Sequence, residues 1–152
     1  MVSLVRLFRL SPVPLLCALA ACDDSELDFG PLRTTAGGFR VSASDFDPVE
    51  DVDIDAAIET QFEILLAKNP DLNAGAAREV LKGIPIQIKN SFKFQVITST
   101  GYVWVTGDTD ARSYIRVALY SFDPATGSGS APYLPALNHE WGHVFFGPGY
   151  EH

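Results

Sequence analysis

Apolar residues along this chain follow two different periods, and the change from one to the other divides it. Ile54, Ile58, Phe62 and Leu65 recur at helical spacing and form one stripe. Asp47 as N-cap, Pro48 in the first helical position and Glu50 closing a capping box start the element, so a long amphipathic helix is predicted over residues 48–68. Asn69-Pro70-Asp71 breaks it, and a second, shorter helix is expected from about Asn73 to Lys82, before Gly83. Beyond Gly83 the period falls to two. IPIQIKN, FKFQVITST, YVWVTGD and SYIRVALYSF alternate and are rich in β-branched and aromatic residues, which predicts three or four strands, the last from Tyr114 to Phe122. A further short strand is expected between Phe39 and Asp47. Residues 123–135, DPATGSGSAPYLP, read as a connector, and a last helix follows over 135–146 with Pro135 in its first turn. Long helix, small mixed sheet, C-terminal helix: the expected class is α+β in one domain.

The last helix carries the chemistry. It reads LNHEWGHVFF and contains H-E-x-x-H as His139, Glu140 and His143. Residues four apart on a helix project from the same side, so both imidazoles can reach one ion. Neutral imidazole binds zinc firmly and leaves its Lewis acidity intact. Glu140 is turned about 100° from His139 around the axis. The expected roles are therefore His139 and His143 as ligands of a single Zn2+, and Glu140 as general base toward a zinc-activated water. Leu137, Trp141, Val144 and Phe145 fall on other sides, where they can pack against the strands. Gly142 weakens the helix, and a close approach of a neighbouring strand would account for it.

H-E-W-G-H resembles the signature of zincin metallopeptidases. The order of long helix, strands and motif helix over roughly residues 40–146 is similar to the N-terminal half of that catalytic domain. The resemblance implies a zinc metallopeptidase acting on peptide or protein substrates, with SYIRVALYSF as the sheet edge beside the cleft. The metzincin branch has glycine and histidine where this chain has Phe146 and Gly149, and it has a methionine turn, whereas the single methionine here is Met1. Gly147 and His152 resemble the same two elements displaced, and other bacterial zincins carry an acidic ligand that Glu151 matches. Gly147-Pro148-Gly149 permits a sharp reversal of the tail. His152 is thus the expected third metal ligand, with Glu151 the alternative and a loose chain end the plainer reading. Tyr150 is either an oxyanion stabiliser or an ordinary packed aromatic.

Composition bears on where such an enzyme works. The N-terminus, MVSLVRLFRLSPVPLLCALAAC, has Arg6 and Arg9, an apolar run too short and proline-broken to span a bilayer, and small residues before a cysteine: an export signal. Leu19-Ala20-Ala21-Cys22 resembles the lipobox of bacterial lipoproteins, which implies cleavage before Cys22 and its lipidation. Residues 1–21 are then the signal peptide, 22–38 the lipidated cysteine with a flexible tether, and 39–152 the zincin-like catalytic domain. Asp23, following the cysteine, resembles the signal that retains enteric lipoproteins at the inner membrane. The net charge of −8 becomes −10 once Arg6 and Arg9 leave with the signal. Such a chain is repelled by nucleic acid and by anionic lipid, so the membrane contact expected is the lipid on Cys22 alone. Two other readings stay open: a zincin-like lipoprotein acting as a binding or structural module, and a truncated metallopeptidase lacking a C-terminal subdomain.

Overall fold

The computed structural model describes residues 29–42, 51–110, 113–120, 122–123, 128–129 and 134–151. The export signal, Cys22 and Asp23, the Asp47 and Glu50 capping box, most of the 123–135 connector and His152 lie outside the described residues. Among those described, no helix is long and apolar enough to cross a membrane.

The described residues form an α+β arrangement with three helices and a small mixed sheet. The elements run β1 (Leu32–Thr34), β2 (Arg40–Ser42), α1 (Asp51–Lys68), α2 (Ala74–Lys82), β3 (Ile86–Lys89), β4 (Phe94–Thr98), β5 (Gly101–Val105), β6 (Gly107–Thr109), β7 (Ile115–Ala118), β8 (Phe122–Asp123), β9 (Ser128–Gly129) and α3 (Leu137–Phe146). Five strands form the main sheet in the order β1-β2-β3-β7-β6. The β2–β3 and β3–β7 pairs are parallel, and the two outer pairs are antiparallel. The β4–β5 and β8–β9 pairs form separate two-stranded ribbons.

Alternation gives the sheet two different faces. Val41, Ile86, Ile88, Ile115 and Val117 are all buried on one. The α1 stripe of Ile54, Ile58, Phe62 and Leu65 packs into the same core, with Leu81 of α2 and Leu137, Trp141 and Val144 of α3. Each such side chain contributes about 1.5–3 kcal/mol by leaving water. At the centre Trp141 stacks on Phe39, with ring centroids 5.3 Å apart, and meets the edge of Phe62 at 6.1 Å. Arg78 caps this aromatic cluster: its guanidinium lies 4.3 Å from the Phe62 centroid and holds Glu59 through two bonds of 2.8 and 2.7 Å. On the opposite face Ser42, Gln87 and Arg116 stand in register, and Phe94 and Val96 of the β4–β5 ribbon pack over Ala118. The ribbon's own outer face stays in solvent, with Ile97, Tyr102 and Trp104 between 58% and 69% exposed.

Four expectations from sequence need correction. Leu32–Thr34, placed in the tether, is strand β1. Its polar, glycine-flanked sequence hides a tight turn in which Thr35 Oγ1 accepts the Phe39 N–H at 3.0 Å and Gly38 takes φ +90°. Arg33 then ties β1 to Asp55 of α1 at 2.8 Å. YVWVTGD is two strands rather than one, because the chain bends at Thr106 and passes from the ribbon into the main sheet. SYIRVALYSF joins the main sheet only over Ile115–Ala118, its last residue opening β8, and the main-sheet part is interior: β6 pairs outside it and forms the edge, fastened by Arg116 to Asp108 at 2.6 Å. Finally α3 begins at Leu137, two residues later than expected. Leu134, fully buried at φ +48°, accepts the Leu137 N–H and donates its own to Leu119, so the chain turns before the helix can start.

Candidate metal centre

Helix α3 is set in the core by Leu137, Trp141 and Val144, which leaves the His139–Glu140–His143 side directed toward the sheet edge and the C-terminal tail. The two histidines come together as their spacing requires. Their rings are 4.5 Å apart between centroids, and the Nε2 atoms are 3.0 Å apart. His143 Nδ1 lies 2.9 Å from the Gly147 carbonyl oxygen. A carbonyl only accepts, so His143 Nδ1 carries the proton in this contact and Nε2 is the atom that faces His139. A hydrogen bond of this kind fixes the orientation of an imidazole ring.

The tail makes that contact possible. Gly147 adopts φ +83°, a conformation costly for a residue with a side chain, and turns the chain so that its carbonyl points back at His143. Tyr150 N–H bonds to the Gly147 carbonyl at 3.2 Å, and the Tyr150 ring folds back on the helix. A Cβ at position 142 would meet that ring at 1.9–2.6 Å. Gly142 therefore makes room for the tail and not for a strand. The Tyr150 ring stands 6.0 Å from that of His139 and 6.2 Å from that of His143, stacks on Phe146, and its hydroxyl accepts from Asn69 Nδ2 at 2.9 Å. Tyr150 thus acts in the described structure as a packed, anchored aromatic that clamps the tail.

A strand does approach α3 closely, one turn earlier. At Gly107, the first residue of β6, an added Cβ would fall 2.5 Å from Glu140 Oε1 and 2.7 Å from the Ala136 Cβ. Glu140 is buried against this backbone, only 6% exposed. Burial, with the negative charge of Asp108 second, raises its pKa from the ordinary carboxylate range to about 7. Beside it Asn138 joins two helices: its amide N–H donates to Gln61 of α1 and its oxygen accepts from Lys68 Nζ at 3.2 Å. Asn138, Asp108 and Gly107 carry no motif, and only their neighbours in space mark them as part of the site.

His139 and Glu140 open on a cleft of about 1220 Å³ whose far wall is made by Phe92, Lys93 and Trp104 of the β4–β5 region. The donor set suits zinc. Nitrogens at two corners of a zinc tetrahedron, each about 2.0–2.1 Å from the ion, are about 3.3 Å apart, close to the 3.0 Å observed for the histidine pair. Among the described residues no group of three His, Cys, Asp or Glu side chains is gathered, and Glu151 is exposed. No protein-family model, curated protein or solved structure matches this chain.

Proposed function

We propose that the chain is a zinc-dependent metallopeptidase of zincin type. The observation that carries the reading is the histidine pair with Nε2 atoms 3.0 Å apart, one ring held in the metal-binding tautomer by the Gly147 carbonyl, beside a buried carboxylic acid. A zinc ion held by His139 and His143 would supply Lewis acidity and lower the pKa of a water far below its bulk value, to about 7.

The chain's own residues do the rest. Glu140, buried beside the histidine pair, takes a proton from the attacking water and returns it to the departing amine. Gly107 lets the carboxyl lie along β6. Gly147 and Tyr150 keep the second imidazole oriented. The tail's reversal also supports His152 as the third ligand, with Glu151 as alternative. Tyr150 already lies near both rings, and two more residues of chain reach about 7 Å. Together with the lipobox ending at Cys22, this describes an enzyme of the bacterial cell envelope, lipid-anchored and acting on peptide or protein substrates.

The test uses the full chain purified in detergent. One zinc per chain is expected by elemental analysis, lost in His139→Ala and His143→Ala. Glu140→Gln is expected to keep the zinc and lose at least about 100-fold in peptide cleavage. A wild-type chain that takes up no zinc ends the proposal. Zinc uptake with no cleavage of any peptide leaves a zinc-binding lipoprotein in its place.

A further inference from the structure

The protein is acidic, but its cleft is not. The hollow in front of His139 and Glu140 adjoins a second one, of about 630 Å³, and the two share Asn90, Ser91, Lys93 and Trp104. Among the described residues that line this double trough, Lys68, Lys89, Lys93 and Arg116 stand against one carboxylate, Glu140. Low-dielectric walls strengthen the field of these cations inside the trough.

The cations are placed on both sides of the candidate centre. Lys68, at the end of α1, reaches Asn138, the residue before His139. Lys93, on the opposite wall, holds its ammonium 5.2 Å from the centroid of Trp104, an indole left 58% exposed to the trough. Arg116, ion-paired with Asp108 at 2.6 Å, lines the outer hollow with Lys89. An extended ligand lying across the helix would meet an aromatic platform with a cation at each end.

We infer that the trough selects acidic peptides, with Lys68 and Lys93 receiving carboxylates on either side of the bond presented to His139 and Glu140. The inference takes the peptide from the peptidase reading, and its test separates the two. Carboxylates reach such a site as Asp and Glu side chains or as a free C-terminus.

Binding is measured by fluorescence anisotropy of labelled peptides on the full chain carrying Glu140→Gln, so that nothing is consumed. One peptide pair is C-terminally amidated and differs as internal Glu against Gln; a second is neutral and differs as free against amidated C-terminus. At least one acidic member is expected to bind about fivefold tighter than its partner, with the advantage shrinking as salt rises. Lys93→Gln and Lys68→Gln are each expected to reduce that advantage, read as the ratio of affinities within each peptide pair. Equal binding within each pair, or a preference that survives both substitutions together, overturns the inference. Cleavage of the same peptides by the wild-type chain judges the peptidase reading separately. Cleavage without preference sinks only the acidic specificity, whereas preference without cleavage sinks only the peptidase.

Discussion

Two sides of helix α3 are built on opposite principles. The inner side, Leu137, Trp141 and Val144, is held by shape alone: apolar groups fill space against Phe39, Phe62 and the sheet. The outer side, His139, Glu140 and His143, is held by backbone. Gly107 presses against Glu140, and the Gly147 carbonyl fixes His143. Packing tolerates substitution in proportion to the volume lost, but a contact with bare backbone tolerates almost none. The inner side therefore sets whether the protein folds, and the outer side sets whether the donors converge.

The sharpest way to break this contrast is to truncate the centre of the inner side. Trp141→Ala is expected to cost about 3–5 kcal/mol in chemical denaturation, enough to unfold much of a domain this small. His139→Ala should instead leave the denaturation midpoint within about 0.5 kcal/mol of wild type while zinc uptake disappears. If both substitutions destabilise equally, the two sides are not independent.

Added methyl groups probe the outer side. Gly107→Ala forces Glu140 and Ala136 apart, and Gly142→Ala displaces the Tyr150 ring. Each is expected to cost about 1–3 kcal/mol. The double variant Gly142→Ala with Tyr150→Ala should be less destabilised than the sum of its single changes, since both act on one contact. Additive costs would show that the tail does not rest on Gly142.

Acidity offers a gentler probe. Glu140 in the metal-free chain has its pKa raised to about 7, so the folded state binds the proton more tightly than the unfolded one. Its contribution is fully present below the ordinary glutamate pKa of about 4.3 and is lost as pH rises through about 7. Between pH 5 and 8 the metal-free wild type should thus lose stability relative to Glu140→Gln, measured as the difference between their melting temperatures at each pH. A constant difference would place Glu140 in water. The smallest effect is expected for Tyr150→Phe, which loses the bond from Asn69 and about 0.5–1.5 kcal/mol.

Much of this architecture could be read along the chain. The α1 stripe is buried at all four positions named for it, α2 starts after Asn73, whose side chain accepts the Ala76 N–H at 2.9 Å, and the histidine pair meets as its spacing dictates. These features are local: a period of 3.6, a capping oxygen, a separation of four. The misreadings concern turns and strand partners that no period records. Alternation marked 101–108 as extended but could not say that the chain changes sheets at Thr106. SYIRVALYSF was recognisably strand, yet edge or interior depends on what lies beside it, and β6 lies there.

The same division runs through the candidate site. Residue types and spacing along α3 were sufficient to name two nitrogen donors and a neighbouring acid, because a helix imposes its geometry on any residues it carries. Nothing in that stretch reveals why Gly142 is a glycine, that Gly107 makes room for Glu140, or that Lys68 and Lys93 face a common trough. Those facts arise where other segments of the chain, the tail at Tyr150 and the strand at Gly107, come within van der Waals distance. Sequence period decided which side of each element is apolar; the packing of those sides against one another decided which carbonyl reaches His143, which backbone buries Glu140 and which charges share the cleft. The reason is that dihedral preferences act over a few residues, whereas burial and charge depend on whatever the rest of the fold brings alongside.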